Sequence, residues 1–132
     1  MDPLRPLLLA IPVTLAIDLL WLGVIAKDLY VKTIGSFMRA TPVWPSALAV
    51  YLLIPLGLVL FVLPKAGGDA GKAVLWGALF GLVLYGIYDF TNHAVVKGWP
   101  FKIVVIDLAW GMVLCGLSAF LVQAAMTKLG WK

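Results

Sequence analysis

A single cysteine and a single histidine are all that this chain has of the side chains that most often bind transition metals. The lone Cys115 excludes an internal disulfide framework and any multi-cysteine metal site. Charge is scarce too: 12% of residues are charged, where a soluble domain has about a quarter. No lysine sits deep in an apolar run, which argues against a Schiff-base chromophore. There is no glycine-rich phosphate loop after a strand, no histidine cluster and no nucleophile elbow. A nucleic-acid partner would need a basic face on a soluble domain, and none is present. Neither a cofactor nor a metal ion is implied.

What fills the chain is apolar surface. Of 132 residues, 64% are hydrophobic, and the mean hydropathy is +1.08. A domain of this size keeps too much surface exposed to hide that excess in a core, so the lipid bilayer is the remaining solvent. Four runs each approach the ~20 residues that cross a hydrocarbon layer. They predict an all-α, integral membrane four-helix bundle, one transmembrane domain over 1–132, with spans at 7–26, 45–63, 73–95 and 100–126. The protein is expected to be multi-pass, in the cytoplasmic membrane if bacterial. The first span is read as a mature helix, because Thr14-Leu15-Ala16 makes a poor leader-cleavage site.

Connections and packing follow from small residues and prolines. The longest connection, 27–45, carries Lys27, Asp28, Lys32 and Arg39 together with Tyr30, Phe37 and Trp44, as expected of a segment lying partly along the interface. Pro45 suits a first helical turn, and Pro55 should kink the second span. With few polar groups, that span is the expected lipid-facing or oligomer-forming element. Asp69 is a plausible N-cap for the third span. Ala73, Gly77 and Gly81 recur every fourth residue and lead into Tyr85 and Asp89. The fourth span has a matching row: Asp107, Gly111, Cys115, Ala119 and Gln123. Such rows let two helix backbones approach closely, so they are predicted to face each other.

Orientation stays open. Arg5, Lys65, Lys72, Lys128 and Lys132 fall on one side; Lys27, Lys32, Arg39, Lys97 and Lys102 fall on the other. Five against five gives no positive-inside preference. The basic residues read as interfacial anchors, and a dual-topology homodimer is one arrangement that such a balance permits.

Three aspartates lie within the apolar runs. At a rise of ~1.5 Å per residue, Asp107 stands roughly 10 Å beyond Pro100, and Asp18 about 13 Å before Lys27. Asp89 lies near the end of the third span on the same side. Three carboxylates on three helices therefore share one layer. Each lies with polar or aromatic neighbours on a stripe at helical spacing: Thr14, Asp18, Trp21, Ile25 and Asp28; Tyr85, Tyr88, Asp89 and Asn92; Asp107, Trp110 and Gly111. Such faces should turn inward, away from lipid. Carboxylates that share a site repel, so they call for a proton or a cation among them.

At Tyr88-Asp89-Phe90-Thr91-Asn92, Gly98-Trp99-Pro100 and Asp107-Leu108-Ala109-Trp110-Gly111, the chain resembles domain-of-unknown-function family 2177, a bacterial membrane-protein family. The segment Asp18-Leu19-Leu20-Trp21-Leu22-Gly23 is similar to it as well. The resemblance implies a small four-helix membrane protein and carries no assigned activity.

The expected site comprises Asp18, Asp89, Asp107, Tyr85, Tyr88, Asn92, Trp21 and Trp110. The favoured role is binding or proton-coupled exchange of a cation or small polar solute, as in a transporter. A membrane-embedded enzyme acting on a lipid or isoprenoid, with Asp89 and Asp107 as acid and base, is the alternative. An accessory subunit whose aspartates serve only as interhelical glue is the third. His93 and Cys115 are given interfacial and packing roles.

Overall fold

The computed structural model describes residues 2–131; Lys132, counted above on one side, lies outside them. The chain is 85% helical, and the described residues contain no strand. Helix α1 spans Leu4–Leu20 and continues as a wider π turn, Trp21–Ile25. Helix α2 is short, Lys27–Ile34, and ends in a 3₁₀ turn, Gly35–Phe37. Helix α3, Trp44–Gly57, passes through a second π turn, Leu58–Val62, into α4, Leu63–Ala66. The two long helices are α5, Ala70–Val95, and α6, Phe101–Lys128. Among the described residues, four stretches are long and apolar enough to cross a membrane: Leu4–Ile25, Trp44–Ala66, α5 and α6.

Local chemistry accounts for the ends. Pro45 occupies the first turn of α3, where its missing N–H costs no helical hydrogen bond. Pro55 lies inside α3, and the hydrogen-bond ladder widens to the π turn three residues later. Asp69 caps α5, its side chain accepting from the Lys72 N–H at 3.1 Å. Gly98 closes the turn between α5 and α6 with φ +82°, a left-handed conformation that an ordinary side chain resists.

The four spans form a ring of neighbours: first against second, second against third, third against fourth, and fourth against first. The α5–α6 pair is the closest. The buried residues of α5 are Ala73, Gly77, Gly81 and Asp89, the row expected from the four-residue spacing. A Cβ at Gly77 would sit 2.5 Å from the Cys115 carbonyl oxygen, and one at Gly81 would collide with the Gly111 carbonyl. Backbone meets backbone here, so the two rows do face each other.

The second span corrects its expectation. Its latter half, Leu58, Val59, Val62, Leu63 and Ala66, is buried and packs against α1, α5 and α6. The first span is the least buried of the four. A run without polar groups suits lipid and core equally, so composition could not decide between them. Apolar packing thus fills the half of the bundle nearer the 64–72 loop. At the other end, Leu29, Tyr30 and Ile34 of α2 pack over Trp99, Ile103 and Val104. Asp18, Asp89 and Asp107 lie between these two apolar zones.

Candidate functional site

The site begins where α1 changes its winding. Thr14 is buried and returns its hydroxyl to the Ala10 carbonyl at 2.8 Å, so it adds nothing to the layer below it. One turn further, the Asp18 Oδ1 accepts from the Trp110 indole N–H at 3.3 Å. The π turn then starts at Trp21. Such turns shift every later residue around the helix axis and often occur at functional positions. Trp21 stacks on Trp110 with ring centres 4.4 Å apart and planes 8° from parallel. Past it the expected stripe breaks, and Ile25 is exposed.

Helix α2 supplies a residue for which sequence reasoning assigned only an interfacial role. Tyr30 turns into the bundle, accepts from the Trp21 N–H at 3.1 Å, and donates its hydroxyl proton to Asp107 Oδ1. Burial first, and then the hydrogen bond and charge of Asp107, push the phenol above the usual tyrosine range. Tyr30 therefore remains a donor. A continuous chain of contacts results: Asp18, Trp110, Trp21, Tyr30, Asp107.

Asp89 is the exception in this network. It is 0% exposed, yet neither of its oxygens has a hydrogen-bond partner, and neither has the Trp99 indole N–H. Asp107 and Trp99 are its polar neighbours. A buried carboxyl without partners is expensive. Beside a second carboxylate it calls for a proton or a cation.

In front of this pair lies a cavity of about 280 Å³. Asp18, Asp107, Tyr30, Tyr85, Tyr88 and Trp110 supply its polar and aromatic wall, with Leu22, Ile34 and Met38 completing it. Among the described residues, no basic side chain lines it. Of the expected residues, Asp18, Tyr85, Tyr88, Asp107 and Trp110 meet at this cavity. Trp21 stands behind Trp110, Asp89 behind Asp107, and Asn92 does not reach the wall. His93 lies against Phe101 with ring centres 5.3 Å apart, and Cys115 is in the core. Among the described residues, no three carboxylate, imidazole or thiol groups lie close enough to hold a metal ion. The aspartates share a layer without sharing a coordination sphere.

Trp99 is the other residue that sequence reasoning misses. It lies in the turn between α5 and α6, is buried beside Asp89, and makes edge contact with Tyr88, ring centres 6.1 Å apart. Its position in the tight Gly98-Trp99-Pro100 turn, ten residues after Asp89, was the signal in the sequence.

A family model described as a predicted membrane protein, DUF2177, matches residues 4–124. No curated protein and no solved structure matches the chain.

Proposed function

The chain belongs to the DUF2177 family of predicted membrane proteins, and on that premise we propose that it binds an organic cation in the Asp18–Asp107 cavity and exchanges it for a proton. The observation that carries this reading is a cavity with two carboxylates in its wall, no base to neutralise them, and a third carboxyl buried without partners behind. A carboxylate at this depth is costly unless it is paired, and a proton or a cationic ligand supplies the charge that would pair it. A cavity among the carboxylates also counts against aspartates that serve only as glue between helices.

The surrounding groups suit the chemistry. Faces of Trp110, Tyr85 and Tyr88 attract a cation that has shed its water, by about 0.5–2 kcal/mol each. Tyr30 occupies one oxygen of Asp107 and fixes that carboxylate in place. When the ligand arrives, the Asp89–Asp107 pair releases a proton; when it leaves, the pair takes one back. Charge balances at each step, because one positive charge replaces another. All-helical spans support the cytoplasmic membrane as the location of such an exchanger if its source is bacterial, since outer-membrane spanning proteins are β-barrels.

Vesicles carrying the protein test the exchange. They are loaded with tetramethylammonium and a trapped pH dye, then diluted into cation-free buffer. Outward movement of the cation should draw protons in and acidify the interior, and Asp107→Asn vesicles should behave like protein-free ones. Wild-type vesicles no faster than empty ones would refute exchange.

A further inference from the structure

Tyr85 and Tyr88 line two hollows. Besides the carboxylate cavity, they border a groove of about 430 Å³ whose other walls are Val50 and Ile54 of the second span and Leu84 of the third. Apart from the two phenols, the groove is apolar. It lies on the outside of the bundle, since Val50 is 49% and Tyr88 53% exposed. A charged, aromatic chamber and an apolar, lipid-side groove thus share a wall of two tyrosines.

We propose that the occupant is an amphiphilic organic cation. Its ammonium head lies against Asp18 and Asp107, and its alkyl or aryl tail passes the two tyrosines into the Val50–Ile54–Leu84 groove. The inference rests on the cation reading above and specifies the ligand class. The head must be cationic, because neither hollow has a basic side chain to meet an anion. Isoprenyl phosphates and phospholipids would bring a phosphate close to two carboxylates, in the zwitterionic phospholipids alongside their ammonium. A neutral isoprenoid would leave those carboxylates without a counter-charge. A bare metal ion has no ligand set here and no use for the groove.

The tail gains little by leaving lipid for an apolar groove, because acyl chains are as apolar as leucine. It contributes selection by shape, and it brings the cation into the bilayer at high local concentration, as acyl anchors do. Entry from the membrane, sideways past Tyr88, follows.

The test separates head from tail. Binding of radiolabelled tetramethylammonium and decyltrimethylammonium is measured by equilibrium dialysis against the protein in phosphatidylcholine nanodiscs, with uptake by empty nanodiscs subtracted. Val50→Phe and Leu84→Phe fill the groove without touching either carboxylate. A filled groove leaves the tail no way out of the chamber while the head is seated, so each should weaken the decyl probe by about tenfold while shifting the tetramethyl probe by less than about twofold. Val50 is exposed, so its variant should fold even if Leu84→Phe does not. A decyl probe weakened no more than the tetramethyl probe overturns the inference, as does a wild type that binds only the short probe; the cavity reading survives both. If wild type binds neither probe, the cavity reading falls and the inference falls with it.

Discussion

Replacing Asp89 by Asn should make the protein more stable. Both Asp89 oxygens are buried and unpartnered, and Asp107 stands beside them. Asparagine keeps the shape, carries no charge, and offers an amide N–H toward Asp107. An unsatisfied buried polar group forfeits about 1–3 kcal/mol, more for a charged one. Part of that should be recovered, so the expected gain at neutral pH is about 1–3 kcal/mol. Two-state scaling for a chain of this length turns each kcal/mol into roughly 3–6 °C of melting temperature. Thermal unfolding in dodecyl maltoside, followed by far-UV circular dichroism, reads the shift. Residues kept for function commonly cost stability in this way. A variant destabilised by a kcal/mol or more would show that Asp89 is a structural bond, and would refute the reasoning.

Tyr30→Phe removes the donor to Asp107 and the acceptor for Trp21, and should cost about 2 kcal/mol, the range for hydrogen bonds to charged groups. The same unfolding assay checks it; a loss under about 0.5 kcal/mol would mean that the contact is dispensable. Gly81→Ala places a methyl against the Gly111 carbonyl and should cost about 1–3 kcal/mol or more, because backbone cannot rotate away as a side chain can. Gly86→Ala, on the same helix with only a Phe90 ring atom at 4.0 Å, should instead be neutral or stabilise by about 0.5–1 kcal/mol. Equal effects at the two glycines would contradict the close α5–α6 approach.

Much of the fold and part of the site could be read from the sequence, for identifiable reasons. Gly77 and Gly81 pointed to Cys115 and Gly111 because a four-residue spacing is itself a packing geometry. Asp18, Asp89 and Asp107 could be placed by depth because a helix rises by a constant amount per residue. Ile25 fell off the predicted stripe because a π turn shifts hydrogen bonds without altering residue order, and so leaves no periodic trace. Tyr30 went unrecognised because its direction depends on α2 folding over Trp99, Ile103 and Val104, which is a tertiary event. The span 45–63 reads as lipid-facing or oligomer-forming, although its latter half is core, because apolar helices look the same to lipid and to core. The groove beside Tyr88 belongs to the same class: its walls come from two spans, and neither Val50 nor Leu84 is distinctive alone.

The cation site itself is tested most directly by calorimetric titration of tetramethylammonium into the protein in nanodiscs, in two buffers of different ionisation heat. Saturable binding should appear in wild type, with a heat that differs between buffers because protons leave the Asp89–Asp107 pair, and should vanish in Asp107→Asn. Wild type that takes up no cation, or Asp107→Asn that binds as wild type does, would contradict a cation site at these carboxylates.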